Sequence, residues 1–472
     1  MAILPLEEEE SGGSGSSREP RSGLGRPLVV DIDRVLQHGG LTIEVAISEI
    51  FHRPQAALGL FTALLRGPAA LKRQVAQSSN FDAGRLSYQS DTVGFLLRAL
   101  GEGRPVYLAS DRYGRALVGA IAQHLGVFAA WSTAANGARQ EANMRSPSIW
   151  AFGFDYLGPA NTALPAGASR IADPVATPRS ESLQFRLKTW AKLLRVHQYA
   201  KNTLILVPLL TAHRFGLEPI VAALSAVLAF SLCASAAYIL NDLVDVSADR
   251  AHITKRNRPI ASGAISPAHA MAAVAMLLTG AIAIAIFLSS SFFGILLAYF
   301  VMTTAYSFCL KRLALVDVIT LAILYTTRVV AGAVAIGVVM SEWLFAFSLF
   351  VFMSLALVKR YIELSGLRSS EKPMARDYYA GDLPMVAVLA AASGFNAVVV
   401  FTLYISSETV HTLYAHPQVL WAGCPVLMYW IARVMLLAQR GLIEDDPVVF
   451  ALRDRVSWLA LAVFGAIILI AI

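Results

Sequence analysis

Between Asn241 and Arg250 the chain reads NDLVDVSADR, and a basic run containing Lys255, Arg256 and Arg258 follows at once. Asn241, Asp245 and Asp249 recur at i, i+4 and i+8. If the apolar helix before them simply continues, their oxygens line one face, about 6 Å apart per turn. Oxygen donors at that spacing suit a hard divalent cation. Mg²⁺ seldom receives an all-protein cage; it takes one or two carboxylates, keeps waters, and is completed by phosphate oxygens of a substrate. The basic residues downstream would hold the same phosphates. The expected ligand is a diphosphate bound with Mg²⁺. The bland alternative is a solvated polar helix end. Against it, the run lies between two membrane-length apolar segments, where ionisable residues tend to be kept for function.

The elements that must position these residues are membrane helices. Of 472 residues, 56% are hydrophobic, and the mean hydropathy is positive. That is too apolar for an ordinary soluble enzyme, and repeated stretches approach the roughly 20 residues that span a bilayer. Nine apolar segments are expected, at about 203–216, 219–240, 266–288, 291–309, 314–338, 342–361, 384–406, 417–438 and 455–472, the first of them short. Their loops sort by charge. Residues 241–265, Lys311 with Arg312, 359–383 and 439–455 carry nearly all the Lys and Arg of this half, whereas 289–291, 337–342 and 407–416 carry none. The positive-inside rule places the basic loops in the cytoplasm. The expectation is a multi-pass protein of the inner (cytoplasmic) membrane with a cytoplasmic N-terminal domain. The net charge of +7 follows from orientation and phosphate binding, and no nucleic-acid partner is expected. Cys233, Cys309 and Cys424 all fall in apolar spans and have neither metal-ligand nor disulfide spacing.

Four regions follow from the composition: a disordered tail over 1–26, an α/β domain over 27–172, a basic amphipathic linker over 173–198, and the membrane domain over 199–472. PLVVDID and PVYLAS read as buried strands, with further strands near 127–131 and 154–158 and a helix over 113–125. Strands alternating with helices argue a parallel sheet. Asp31 and Asp33 end the first strand and Ser110 ends the second, where such sheets place their chemistry. On these residues the region resembles the haloacid dehalogenase superfamily of phosphatases. There the first Asp of a DxD pair is the nucleophile, the second the general acid and base, and a Ser or Thr closes the second motif strand. The later acidic motif reads GPANTA, with Pro159 and Ala163 where carboxylates should stand, no matching Lys precedes it in ARQEANMRS, and Arg34 replaces a small residue. Asp31, Asp33 and Ser110 are therefore expected to form a degenerate phosphatase site, inactive and kept for folding, docking or regulation. In the linker, Leu183, Leu187, Trp190 and Leu194 share one side, with Arg186, Lys188, Lys192 and Arg195 elsewhere, which suits a membrane surface.

Nearly every other polar candidate falls at the basic ends of the spans. Lys201 and Asn202 open the first, Tyr306 and Lys311 close the fourth, and Lys359, Arg360, Tyr361 and Glu363 end the sixth, with Arg376, Asp377, Tyr378 and Asp382 after it. Arg328 lies about ten residues into the fifth span, a depth that costs a few kcal/mol unless a polar cavity receives it. Asp317, about three turns earlier on the same face, is expected to help line that cavity. Arg433 is near enough to a helix end to snorkel.

At NDLVDVSADR the membrane half resembles the UbiA superfamily of intramembrane prenyltransferases through the NDxxDxxxD signature. The resemblance covers about residues 190–472. It implies an all-α polytopic bundle of about nine transmembrane helices with a lateral opening to lipid, preceded here by the soluble α/β domain. RVHQYAKN, TKRNRPIASG, VDVITLAILYTTRVVAGA, KRYIEL, RDYYAGDL and DDPVVFALRDR look most like the branch that makes polyprenyl-phosphate phosphoribose. That branch transfers 5-phosphoribose from phosphoribosyl diphosphate to a lipid phosphate with Mg²⁺. Carried over, Asn241, Asp242, Asp245 and Asp249 hold Mg²⁺ and diphosphate, with Asn241, Asp245 and Asp249 catalytic. Lys201, Asn202, Lys255, Arg256, Arg258, Tyr306, Lys311 and Arg328 bind substrate, and Lys359, Tyr361 and Glu363 stand where a second acidic motif usually falls. KRYIEL offers one acid flanked by bases, which fits two phosphorylated substrates better than an aromatic acceptor. The implied partners are a polyprenyl phosphate, phosphoribosyl diphosphate and the membrane, with a homo-oligomer or a downstream phosphatase as further partners. The alternatives are a prenyltransferase moving a polyprenyl group to an aromatic or other small acceptor, and a membrane-tethered phosphatase. A transporter should carry polar residues near the midplane of several spans, and here only Arg328 does.

Overall fold

The run LVVD is buried at all four positions, so both of its faces are covered, as a parallel sheet requires. It forms β1 (Leu28–Asp31). With β2 (Val106–Ala109), β3 (Phe128–Ala129), β4 (Phe154–Leu157) and β5 (Ala168–Arg170) it makes one sheet in the order β3-β2-β1-β4-β5, every pair parallel. Helices α1 (Ser90–Gly101) and α2 (Arg115–Leu125) pack Leu96, Val118 and Ile121 against Leu28, Val30 and Leu108 of the sheet. β5 is a strand the sequence reading did not contain. The coordinates are a computed structural model that describes residues 26–35, isolated positions between 59 and 89, and 90–110, 115–129, 153–158, 168–171, 183–366, 376–443 and 446–472. The chain divides into two units, Met1–Ser180 and Glu181–Ile472.

In the first unit the sheet order reverses at β1, and Asp31 ends that strand. Its carboxylate is buried and accepts a hydrogen bond from the Tyr156 hydroxyl at 3.1 Å. The Tyr156 ring lies over the backbone of Gly158, where a Cβ would collide with it. Ser110 is buried just past β2. The side chain of Asp33, the tail before residue 26, the stretch ARQEANMRS and residues 159–167 lie outside the described residues.

The second unit is helical and membrane-spanning. Among the described residues seven helices are long and apolar enough to cross a bilayer: α4 (Leu217–Val244), α5 (Pro267–Leu288), α6 (Ser290–Phe308), α7 (Val316–Ala335), α8 (Glu342–Ser365), and α9 (Leu383–Ile405) and α10 (Gly423–Gln439), each of the last two prolonged by a 3-10 turn. An eighth counts if Pro447–Arg453 and α11 (Arg455–Ala471), bent by 76°, make one span. Ser266 and Ser289 start α5 and α6 by accepting the amides of His269 and Phe292.

The segment expected as a first span is not a helix of membrane length. Val196–Leu206 is a 3-10 helix, followed by one α-helical stretch, Val207–Thr211. The larger rise of a 3-10 helix lets these two pieces reach about 30 Å. With the seven or eight long helices among the described residues this segment is consistent with about nine spans, and it differs from them in helical type, which hydropathy does not register. α7 holds this segment: its Gly332 lies so close that a Cβ there would collide with the Ile205 carbonyl. α7 and α4 are central, with 61% and 56% of their most apolar windows buried, against 17% for α6. The linker helix α3 (Leu183–Leu194) runs into this unit and leaves Leu183, Phe185 and Leu187 exposed.

Candidate active site

The acid run does not present one face. α4 ends at Val244, Asp245 is the joint, and Val246–Ala251 resumes the helix, with Asp245 N bonded to Asn241 O and Asp249 N to Asp245 O across the break. The side chains divide into two pairs. Asp242 and Asp249 are both buried and share Arg258, whose Nη1 lies 3.1 Å from Asp242 Oδ1 and 2.6 Å from Asp249 Oδ2. Arg195 adds a second contact to Asp242 Oδ1 at 2.5 Å and lies over the Tyr238 ring. Asn241 and Asp245 form the other pair, Asn241 Nδ2 donating to Asp245 Oδ2 at 3.2 Å, with Lys311 Nζ 3.7 Å away. The expectation that Asn241, Asp245 and Asp249 line up is corrected here: Asp249 turns to Asp242 because Arg258 neutralises both.

This division decides what a cation could use. No three His, Cys, Asp or Glu side chains converge into a metal group among the described residues. The Asp245 side chain is 36% exposed, and its Oδ1 and Asn241 Oδ1 have no protein partner among the described residues. Two hard oxygens open to solvent, with a lysine behind them, fit a Mg²⁺ ion that is completed by waters and phosphate oxygens.

A second cluster forms around Asp446, which the sequence reading did not single out. Its Oδ2 accepts from Lys201 Nζ at 2.6 Å and from Lys359 Nζ at 3.0 Å. Oδ1 caps Pro447–Arg453 through Val448 N at 3.0 Å, and the Tyr325 hydroxyl approaches Oδ2 at 3.3 Å. Burial alone would raise the Asp446 pKa, but the two lysine charges outweigh it and hold the carboxyl well below its usual range. An Asp followed by Pro is legible as a helix cap. No local signal gives its pairing with Lys201.

Arg328 reaches no acid among the described residues. Its Nε donates to Asn202 Oδ1 at 3.0 Å, Nη1 to Leu324 O at 2.6 Å and Nη2 to the Tyr299 hydroxyl at 2.8 Å, and the guanidinium lies over the Tyr299 and Tyr325 rings. Asn202 in turn donates to Ser231 Oγ, so Arg328 ties the 3-10 segment to α4 and α7. Asp317 does not share its surroundings, contrary to expectation. It pairs instead with Arg360 Nη2 at 2.5 Å and accepts from the Tyr378 hydroxyl at 2.7 Å, all deeply buried. Arg360 and Arg376 both bind Glu363 Oε2. Tyr306 and Tyr361 are half-buried beside these groups, while Lys255 and Arg256 are exposed. Arg433 makes a two-pronged pair with Asp454 at 2.6 and 3.1 Å.

A profile of the UbiA prenyltransferase family matches residues 203–453. An uncharacterized protein of Sinorhizobium fredii, y4nM, is 34% identical over 92% of this chain and 88% of its own length. The nodulation protein NoeC of Azorhizobium caulinodans is 33% identical over 57% of this chain and 88% of its own. A decaprenyl-phosphate phosphoribosyltransferase of Mycolicibacterium smegmatis is 30% identical over 61% and 92%. A solved UbiA homolog from Archaeoglobus fulgidus, described as bound to GPP and Mg²⁺, aligns over 60% of this chain and all of its own at 16% identity, with a TM-score of 0.47. With the family profile covering more than half of its length, and a relative above 30% identity matched nearly end to end, the chain belongs to the UbiA prenyltransferase family.

Proposed function

We propose that this membrane transferase moves 5-phosphoribose from phosphoribosyl diphosphate to a polyprenyl phosphate. The observation that carries the reading is the chemistry after the sixth apolar segment. The one acid of KRYIEL, Glu363, is bound by Arg360 and Arg376, and Lys359 stands beside it with Lys201 on Asp446. That end of the site presents positive charge where an aromatic prenyltransferase would need a second open carboxylate pair. The mycolicibacterial relative's name points the same way.

Asn241 and Asp245 would hold Mg²⁺ with the donor's diphosphate. Mg²⁺, when bound, draws charge from the departing diphosphate as a Lewis acid. Lys311 adds fixed positive charge at the same place, and Arg258 holds Asp242 and Asp249 in position behind it. The C1–O bond to diphosphate breaks and an oxygen of the lipid phosphate bonds to C1. The attacking group is already an anion, so no general base is required. An apolar cavity of about 740 Å³, lined among others by Pro208, Leu344, Phe401, Trp430, Leu452 and Phe464, suits an isoprenoid chain. The basic loops favour a cytoplasmic face for the site. For the N-terminal unit we favour a haloacid dehalogenase-like domain without hydrolytic activity, because Pro159 and Ala163 stand where its later carboxylates should be.

The test is transfer of radiolabel from phosphoribosyl diphosphate into the organic phase by membranes given Mg²⁺ and a polyprenyl phosphate, beside Asp245→Asn. Label entering lipid with wild type alone supports the reading. No transfer, with diphosphate released from a polyprenyl diphosphate when an aromatic acid is supplied, replaces it with prenyl transfer.

A further inference from the structure

Around Tyr325 three cations gather from three elements: Lys201 on the 3-10 segment, Arg328 on α7 and Lys359 on α8. Among the described residues Asp446 is the one acid in ion-pair contact with any of them. Lys201 and Arg328 are less than a tenth exposed. Positive charge gathered in so little water is costly unless an anion shares it.

Asp446 takes both ammonium groups on a single oxygen, Oδ2, at 2.6 and 3.0 Å. Two like charges that close would otherwise repel, and the carboxylate holds them side by side. Each ammonium has three N–H donors and gives one to Asp446, so the pair keeps further donors for another oxyanion. Asp446 cannot swing away, because Oδ1 is fixed as the cap of Pro447–Arg453.

The short helix that Asp446 caps carries Ala451 and Leu452 into the wall of the 740 Å³ apolar cavity, and Val207 and Pro208, just after the Lys201 segment, line the same cavity. The polar cluster and the cavity therefore share two walls. A ligand with a phosphate head and an isoprenoid tail matches that arrangement, whereas a sugar phosphate matches the polar part alone.

We propose that Lys201 and Lys359, held as a pair by Asp446, form a phosphomonoester seat that takes the phosphate of the lipid acceptor, with Asp446 as its positioning residue. This rests on the transfer reading above and adds which phosphate goes where: the donor's diphosphate at Asn241 and Asp245, the acceptor's phosphate at the lysine pair.

The experiment is titration of the purified full-length protein in nanodiscs with farnesyl phosphate and, separately, with ribose 5-phosphate, for wild type, Asp446→Asn and Lys359→Gln. Asp446→Asn keeps one oxygen to cap the helix and replaces the lysine-binding oxygen by an uncharged amide NH2 that cannot accept from the lysines; a thermal melt confirms that each variant folds. Lys359→Gln leaves the Lys201–Asp446 pair intact if the Asp446 variant does not fold. The expected result is farnesyl phosphate affinity reduced at least about tenfold in both variants, with ribose 5-phosphate affinity unchanged. In turnover, KM for the lipid should rise while KM for the donor stays, a split that a merely structural cap would not produce. Loss of ribose 5-phosphate binding with farnesyl phosphate unaffected would overturn the assignment in favour of the donor's 5-phosphate, and unchanged affinity for both would overturn the seat itself. Farnesyl phosphate binding that depends on Asp446 supports the seat even if wild type fails to transfer phosphoribose, which would count against the transfer reading alone.

Discussion

Two acid–base groups in the membrane unit use the same chemistry and reach opposite states. At the acid run, Asp245 and Lys311 stand 3.7 Å apart with side chains 36% and 25% exposed. At the start of α7, Asp317 and Arg360 are 2.5 Å apart with side chains 0% and 1% exposed. In the first, the ions are not in tight contact and water reaches both, so either can take a new partner at little cost. The second has no water to fall back on, and each ion depends on the other. An observer of the sequence sees an Asp and a base near a helix end in both cases. Burial makes one a candidate site and the other a brace.

Breaking the brace should have the larger effect on stability. Arg360→Met leaves Asp317 buried without its cation, an expected loss of about 3–5 kcal/mol read as a fall in melting temperature of the detergent-purified protein. Replacing Asp317 by Leu as well should recover most of it. Asp245→Asn should leave stability within about 0.5 kcal/mol and abolish transfer. Equal melting shifts in the two single variants would end the distinction.

Gly332→Ala sharpens the comparison from the packing side. The added Cβ must push the Ile205 carbonyl and with it the segment carrying Lys201, for an expected loss of about 1–3 kcal/mol and a raised KM. At the exposed end of the basic run, Lys255→Gln and Arg256→Gln should change activity less than about twofold, since neither side chain is buried against the acids. A tenfold loss would mean that this loop folds onto bound substrate.

The smallest effect expected is one of pH. The lysine charges hold the Asp446 carboxyl below its usual range. Its contribution is therefore complete above the ordinary carboxylate value and is lost only as pH falls through the depressed one. The stability difference between wild type and Asp446→Asn should stay flat from about pH 5 upward. A difference that changes between pH 5 and 7 would show a weaker pairing than the geometry indicates.

Much of this was legible before any coordinates. The apolar runs after Ala200 announced a helical membrane unit, and LVVD and VYLA announced buried parallel strands, because period and composition report burial directly. The i, i+4 relation of Asn241 to Asp245 survived the helix break because backbone hydrogen bonds bridge it. The i+8 relation to Asp249 did not. Its side chain answers to Arg258, and a spacing rule carries no information about which base arrives from the next loop. The helical type of the first span was not legible for a related reason: hydropathy counts apolar residues and does not tell a 3-10 helix from an α-helix.

The sequence by itself determined the class of molecule, the number of apolar segments to within one or two, and the oxygen-rich composition of the acid run. These depend on residue type and local period, which the chain carries in every conformation. Only the tertiary structure decided which charges meet. Lys201 and Asp446 are separated by 245 residues and lie 2.6 Å apart. Asp317 left Arg328 for Arg360, and Asp249 left Asp245 for Asp242. Helix packing sets which side chains share a water-poor space, and within that space a charge takes the partner it can reach.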